Sequence, residues 1–247
     1  MRNVIITGAA GGIGQALVKK FVEQNDFVFA TDLHLGQVKK LEEKFPDQVQ
    51  ALELDVTNEN SVKQVIQHVA RKGQVDVIVN NAGLQFRSKI EEFPIEKWDL
   101  LIDVMLKGTF LMIKHAMPYM KEQEYGRIVN ISSIHGEKAT PEKVAYVAAK
   151  HGVIGITRVT ALEGAKHNIT ANAILPGPVK TPLLERQIKD LEEKGLNEAQ
   201  ALEEIIYPKQ AMKRLITPKE VADGVYFLTS DAATGITGEN LSVSGGI

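Results

Sequence analysis

The sequence predicts an α/β protein: a single domain over residues 1–247, built on one doubly wound parallel sheet of about seven strands with helices on both faces. A small helical lid is expected over about residues 182–214. Three observations predict this architecture. Short apolar runs rich in β-branched residues alternate with helical patterns along the chain. A glycine-rich turn joins the first such run to the first helical pattern. Gly8 to Gly14, Asp32, Asn80, Ser133 and Thr181 each follow a strand, which gathers them at one edge of the sheet.

Composition narrows the function classes. A chain of 247 residues suits one domain of this kind. A net charge of −2 gives no basic footprint for nucleic acid. With no cysteine there are no disulfides, thiol nucleophiles or thiolate metal sites, and a cytoplasmic location is expected. The chain enters a strand almost at once, so no signal peptide is expected, and no apolar run reaches the roughly 18 residues of a membrane span. No metal site is expected.

The elements follow in order. Asn3–Thr7 is a buried parallel strand, and Gly8-Ala-Ala-Gly-Gly-Ile-Gly14 leads from it into the helical pattern Gln15–Glu23. Strand, glycine turn and helix suit a pyrophosphate, because the helix N-terminus offers unpaired N–H groups and glycines let the phosphates approach the backbone. The spacing is Gly-x-x-x-Gly-x-Gly, and by itself the turn could be only a tight connection. Phe27–Thr31 is the second strand, ended by Asp32, where an acid binds the adenosine ribose hydroxyls and repels a 2′-phosphate. Its bland alternative is a helix N-cap. Gln50–Leu54 is the third strand and Glu59–Arg71 a helix. Val75–Val79 is the fourth strand, ending in Asn80-Asn-Ala-Gly83. Lys97–Gln123 reads as one long amphipathic helix. Gly126–Ile131 is the fifth strand, ended by Ser132-Ser133, and Ile169–Ile174 the sixth, leading to Pro176-Gly177 and Thr181. Glu220–Leu228 is a helix and Leu241–Val243 a last strand.

The helix from Tyr146 to about Lys166 carries a more pointed signal. Tyr146 and Lys150 are four apart and so share one helix face. A neighbouring ammonium favours the phenolate and lowers the phenol's pKa from its usual value near 10. A tyrosine so tuned can serve as general base or acid near neutral pH. The same spacing occurs on many ordinary helices, so the pair gains meaning only from its company.

Thr7-Gly-x-x-x-Gly-Ile-Gly14, Asn80-Asn-Ala-Gly83, Ser133, Tyr146-x-x-x-Lys150 and Pro176-Gly-x-x-x-Thr181 together resemble the short-chain dehydrogenase/reductase family over essentially the whole chain. The resemblance implies a Rossmann fold, NAD as cofactor and Ser133, Tyr146 and Lys150 as catalytic residues. Tyr146 would take the hydroxyl proton, Ser133 hold the substrate oxygen, and Lys150 bond the nicotinamide ribose and keep Tyr146 acidic. The cofactor would lie on Gly8, Gly12, Ile13, Gly14, Asp32, Asp55, Val56, Asn80, Ala82, Gly83, Pro176, Gly177, Val179 and Thr181, besides Tyr146 and Lys150. Asp55 and Val56 would bind the adenine, and Thr181 the carboxamide. Met105 stands where the family usually has an Asn that supports a proton-relay water, and a thioether is at best a weak acceptor. The family is usually tetrameric through its two long helices, so a homotetramer is expected.

Within the family, Gln85, His135, Lys143 and Gln187 resemble the residues with which D-3-hydroxybutyrate dehydrogenases grip a substrate carboxylate, Ser133 and Tyr146 taking the 3-hydroxyl. Lysine, histidine and amides are suitable donors to a small carboxylate. The turn Pro176-Gly-Pro178 lacks a Trp that some of those enzymes use against the substrate methyl. The resemblance therefore implies reversible oxidation of (R)-3-hydroxybutyrate to acetoacetate. The rivals are a 3-oxoacyl carrier-protein reductase, a sugar or polyol dehydrogenase, and an inactive dinucleotide-binding regulator.

Overall fold

Seven strands form one parallel sheet in the order β3-β2-β1-β4-β5-β6-β7. They are β1 Asn3–Thr7, β2 Phe27–Asp32, β3 Val49–Glu53, β4 Val77–Asn80, β5 Gly126–Ile131, β6 Ile169–Pro176 and β7 Asn240–Val243. The structure is a computed structural model and describes residues 1–181, 184, 188–189, 195, 197–205 and 210–247. The helices are α1 Gly12–Glu23, α2 Leu35–Lys44, α3 Glu59–Lys72, α4 Ile95–Ile102, α5 Gly108–Glu122, α6 Val144–Gly164, α7 Glu198–Ile205 and α8 Pro218–Thr229. Part of the expected lid, including Gln187, lies outside the described residues. Helix α7 falls within the part of it that is described.

Side-chain alternation along the strands builds a core on each face. Val4 and Ile6 of β1 pack with Leu17, Val18 and Phe21 of α1 and with Val221 and Val225 of α8. Ile5, from the same strand, faces the opposite layer, with Val62 and Ile66 of α3 and Met112 and Met120 of α5. Both faces are covered, so the strands read as apolar runs rather than as alternating ones.

Two boundaries differ from the sequence reading for identifiable reasons. Strand β4 begins at Val77, because the Val75 N–H donates to Gln123 Oε1 at 3.3 Å and its carbonyl accepts from Gln123 Nε2 at 2.9 Å. A side chain thus replaces the sheet partner at that position. The long helix expected over Lys97–Gln123 is interrupted by a π-helical turn, Asp103–Lys107, between α4 and α5. Periodicity does not reveal one inserted residue, and such turns cluster at functional positions. Here the turn contains Met105.

The chain runs outward from β1 to β3, then returns across to β4. The connections after β1 and β4 therefore leave in opposite directions, and a crevice opens at the carboxyl ends of these two strands. Gly14 closes the first of these connections. A Cβ there would fall on the Gly8 carbonyl oxygen and lie 2.7 Å from Ala9 Cα. Gly14→Ala is therefore expected to lower the melting temperature and weaken dinucleotide binding together, measured by thermal unfolding with and without NAD. An unchanged melting temperature would show that the turn has room to spare.

Candidate active site

A cleft of about 1040 Å³ occupies this crevice. Its floor is tied together by Thr7 and Asn81. The Thr7 hydroxyl accepts from the N–H groups of Asn81 at 2.9 Å and Ala82 at 3.0 Å. Asn81 Nδ2 donates back to the carbonyls of Thr7 at 2.9 Å and Gly8 at 3.0 Å. Gly8 has φ +63°, and a Cβ there would sit 2.9 Å from Ala82 Cα. Glycine is needed at this point for both conformation and clearance. Helix α1 then starts at Gly12 with no side-chain cap and no acidic residue in its first turn. Its own first turn carries no acidic side chain to compete for the leading N–H groups, which fits a phosphate. Gly8, Gly12, Ile13 and Gly14 line this wall.

The other expected cofactor residues divide into two groups. Asp32, Gly83, Pro176, Gly177, Val179 and Thr181 line the cleft. Asp32 does not cap α2, whose N-cap is His34. It accepts from the N–H of Ala10 at 3.2 Å and of His34 at 3.2 Å, which fixes the glycine turn to the end of β2. A carboxylate has further lone pairs for ribose hydroxyls. Asp55, Val56, Asn80 and Ala82 are not on the cleft wall. Asp55 accepts from Thr57 N at 2.9 Å and Thr57 Oγ1 at 2.7 Å, and Val56 is buried. The Asn80 side chain is turned into the protein. It donates to Asn130 Oδ1 at 2.7 Å, and Asn130 donates to Thr157 Oγ1 at 2.9 Å. This buried chain bonds β4, β5 and α6 to one another.

Ser133, Tyr146 and Lys150 come together where β5 ends and α6 begins. Two contacts dock the helix on the strand: Ser132 Oγ donates to the Lys150 carbonyl at 2.9 Å, and Lys150 Nζ donates to the Ile131 carbonyl at 2.7 Å. Lys150 is buried, with its ammonium 5.6 Å from the centre of the Tyr146 ring. Burial pulls its pKa down from the usual 10.5 to about 8. Tyr146 keeps part of its surface open to the cleft, but enough protein surrounds the phenol to push its pKa up, and a hydrogen bond with Ser133 opposes that rise. The sequence predicts a lowered phenol pKa; in this structure burial raises it, and the opposing cause is the Ser133 hydrogen bond.

Gln85, His135 and Lys143 line the same cleft as Ser133 and Tyr146. His135 Nδ1 lies 3.3 Å from Ser133 Oγ, its Nε2 lies 2.9 Å from Thr140 Oγ1, and its ring meets Tyr146 edge to face at 5.9 Å. Met105 is buried against this group, packed with Leu101, Ala145 and Ala149. Its carbonyl accepts from Thr109 Oγ1 at 2.8 Å. Thr140, Arg87 and Ile247 also line the cleft and were not singled out in the sequence. Arg87 had a signal, since it lies two residues after Gln85. Thr140 and Ile247 come from a loop and a chain end without a motif.

Residues 8–247 match the family model described as enoyl-(acyl carrier protein) reductase, and the chain belongs to the short-chain dehydrogenase/reductase family. The family's enzymes are oxidoreductases that bind a nicotinamide dinucleotide. The chain is 41% identical to the uncharacterised oxidoreductase YxjF of Bacillus subtilis (strain 168), over 98% of this chain and 96% of that one. It is 39% identical to D-beta-hydroxybutyrate dehydrogenase of Rhizobium meliloti (strain 1021), over 99% of this chain and 98% of the relative. A solved structure of ElxO with NADP bound superposes with a TM-score of 0.90 at 33% identity, covering 99% of this chain and 97% of that one.

The buried lysine makes a pH prediction. The folded state releases the Lys150 proton near pH 8, the unfolded chain near 10.5. Between these values the unfolded chain binds more protons, so stability attributable to Lys150 rises with pH across that window. The shift corresponds to at most about 3 kcal/mol. Denaturant unfolding at pH 7.5 and pH 10 should show this rise in the wild type relative to Lys150→Met. Equal pH dependence in the two proteins would mean that the ammonium is solvated.

Proposed function

We propose that the chain is an NAD-dependent dehydrogenase that reversibly oxidises (R)-3-hydroxybutyrate to acetoacetate. The observation that carries this reading is that Gln85, His135 and Lys143, three donors to a small carboxylate, line one cleft with Ser133 and Tyr146. Bound NAD would supply the hydride acceptor, and the protein's side chains do the rest. Ser133 holds the substrate oxygen beside the phenol. Tyr146 takes the hydroxyl proton as the carbon loses hydride. Lys150 holds a positive charge near the ring, which favours the phenolate against its burial. Lys143, with Gln85 and His135, fixes the carboxylate so that the 3-hydroxyl meets Tyr146. The lid containing Gln187 would complete this grip.

NAD rather than NADP is supported by Asp32 on the cleft wall, whose charge a 2′-phosphate would meet. A cytoplasmic homotetramer completes the reading. The described helices include none long and apolar enough to cross a membrane. In addition, Phe110 on α5 and Val159 and Leu162 on α6 are exposed, an apolar surface suited to a second copy.

NADH formation with NAD and (R)-3-hydroxybutyrate tests the proposal, with the (S) enantiomer, NADP and a panel of other alcohols as controls. Enantioselective, NAD-only turnover is expected, and silence on hydroxybutyrate with activity on another alcohol would overturn the substrate. Tyr146→Phe should reduce kcat by about 10²–10⁴-fold, the usual worth of a positioned proton-transfer group. NAD should still bind that variant, and a kcat equal to wild type would remove Tyr146 from the chemistry. Lys143→Ala should raise KM for hydroxybutyrate about tenfold to a hundredfold, the loss of a charge-assisted bond, with KM for NAD little changed. An unaltered KM would place the carboxylate elsewhere.

A further inference from the structure

Two loops form the mouth of the cleft at its substrate end. One follows β4 and carries Gln85 and Arg87, and the other precedes α6 and carries Glu142 and Lys143. They are joined twice. Arg87 Nη2 donates to Glu142 Oε2 at 2.7 Å, and the Ser88 N–H donates to the Glu142 carbonyl at 3.0 Å. Glu142 has φ +66°, a left-handed conformation that a residue with a side chain keeps only where its surroundings hold it. The ion pair and the backbone bond are those surroundings.

The two charges stand on different sides of a partition. Arg87 lines the catalytic cleft. Glu142 lines a second cavity of about 760 Å³, which shares Thr140 with the cleft. Seen from the substrate, this wall presents the fixed cations Arg87 and Lys143. Glu142 pairs with Arg87 from behind this wall, so that Arg87 brings no uncompensated charge to the cleft. Both members of the pair are half-exposed, so it contributes little to folding stability. Its effect on a ligand entering the mouth is larger, because Glu142 cancels the charge with which Arg87 would attract a second anionic group there.

We infer that the Arg87–Glu142 ion pair is a charge filter that makes the substrate site take a monocarboxylate and discriminate against hydroxy acids bearing a second carboxylate. The inference rests on the proposed grip of a carboxylate by Lys143. It adds a specificity-determining residue, Glu142, that lies outside that grip.

The filter predicts opposite signs for its two halves, whereas a purely structural clasp predicts the same sign. Butyrate and glutarate serve as unreactive monoanion and dianion probes, and their binding is read from the fluorescence of enzyme-bound NADH. Glu142→Gln releases the Arg87 charge into the cleft and should tighten glutarate relative to butyrate by about fivefold, the size of a partly exposed charge contact. Arg87→Gln leaves the Glu142 carboxylate uncompensated and should weaken both anions, glutarate more. Melting temperatures of both variants should stay close to wild type. Equal weakening of both anions in both variants would overturn the filter, and so would an unchanged glutarate-to-butyrate ratio in Glu142→Gln. Turnover of (R)-3-hydroxybutyrate by the wild type is scored separately. Its absence would count against the proposed substrate, while the ratio of the two probes would still decide the filter.

Discussion

The constraint on which the structure depends is the reversal of strand order between β1 and β4. In a parallel sheet every connection leaves the carboxyl end of a strand, so a reversal forces two neighbouring connections apart and leaves a gap. The sheet cannot close this gap with its own ladder. The chain instead ties it with side chains: the Thr7 hydroxyl takes two N–H groups from the end of β4, and Asn81 returns two bonds to the glycine turn. These short bonds fix the cleft floor, and the glycines keep side chains out of it. Asp32 anchors the outer end of the same turn, so one residue both shapes the turn and places a carboxylate on the cleft wall.

Lys150 shows what the site costs the fold. An ammonium in a buried place is held by the Ile131 carbonyl and is disfavoured enough to bring its pKa to about 8. A core built for stability alone would place an apolar side chain here. The lysine is held in position by α6, which is docked through Ser132 and Lys150 on the end of β5, and the Asn80–Asn130–Thr157 chain supports the same junction from below. Polar residues therefore serve two different ends near this site. Some face the cleft, and others are spent inside, keeping β4, β5 and α6 in register so that Tyr146 and Ser133 stay within reach of one another.

The π-helical turn at Asp103–Lys107 belongs to the same economy. It inserts a residue opposite α6 and seats Met105 beside Ala145 and Ala149, near the base of the tyrosine. The thioether fills space and offers no donor, while the Met105 carbonyl is taken by Thr109. Any proton path past this point must therefore use groups other than the Met105 side chain.

Much was determined by the sequence alone. Alternating apolar runs and helical patterns fix a parallel sheet, because strands covered on both faces cannot afford polar alternation. Gly8 and Gly14 are legible since few other residues meet both a left-handed turn and a close helix–strand approach. Tyr146 and Lys150 are legible because four residues make a helical turn. Tertiary structure decided the rest. Asn80 and Asn81 are adjacent and chemically alike, yet only Asn81 lines the cleft, a difference set by strand pleating and by Asn130 across the sheet. The upward shift of the Tyr146 pKa depends on how much protein surrounds the phenol, which helix spacing does not encode. The Arg87–Glu142 pair joins residues 55 positions apart. Such a contact exists only after β4 and α6 have packed, so no local pattern in the chain announces it.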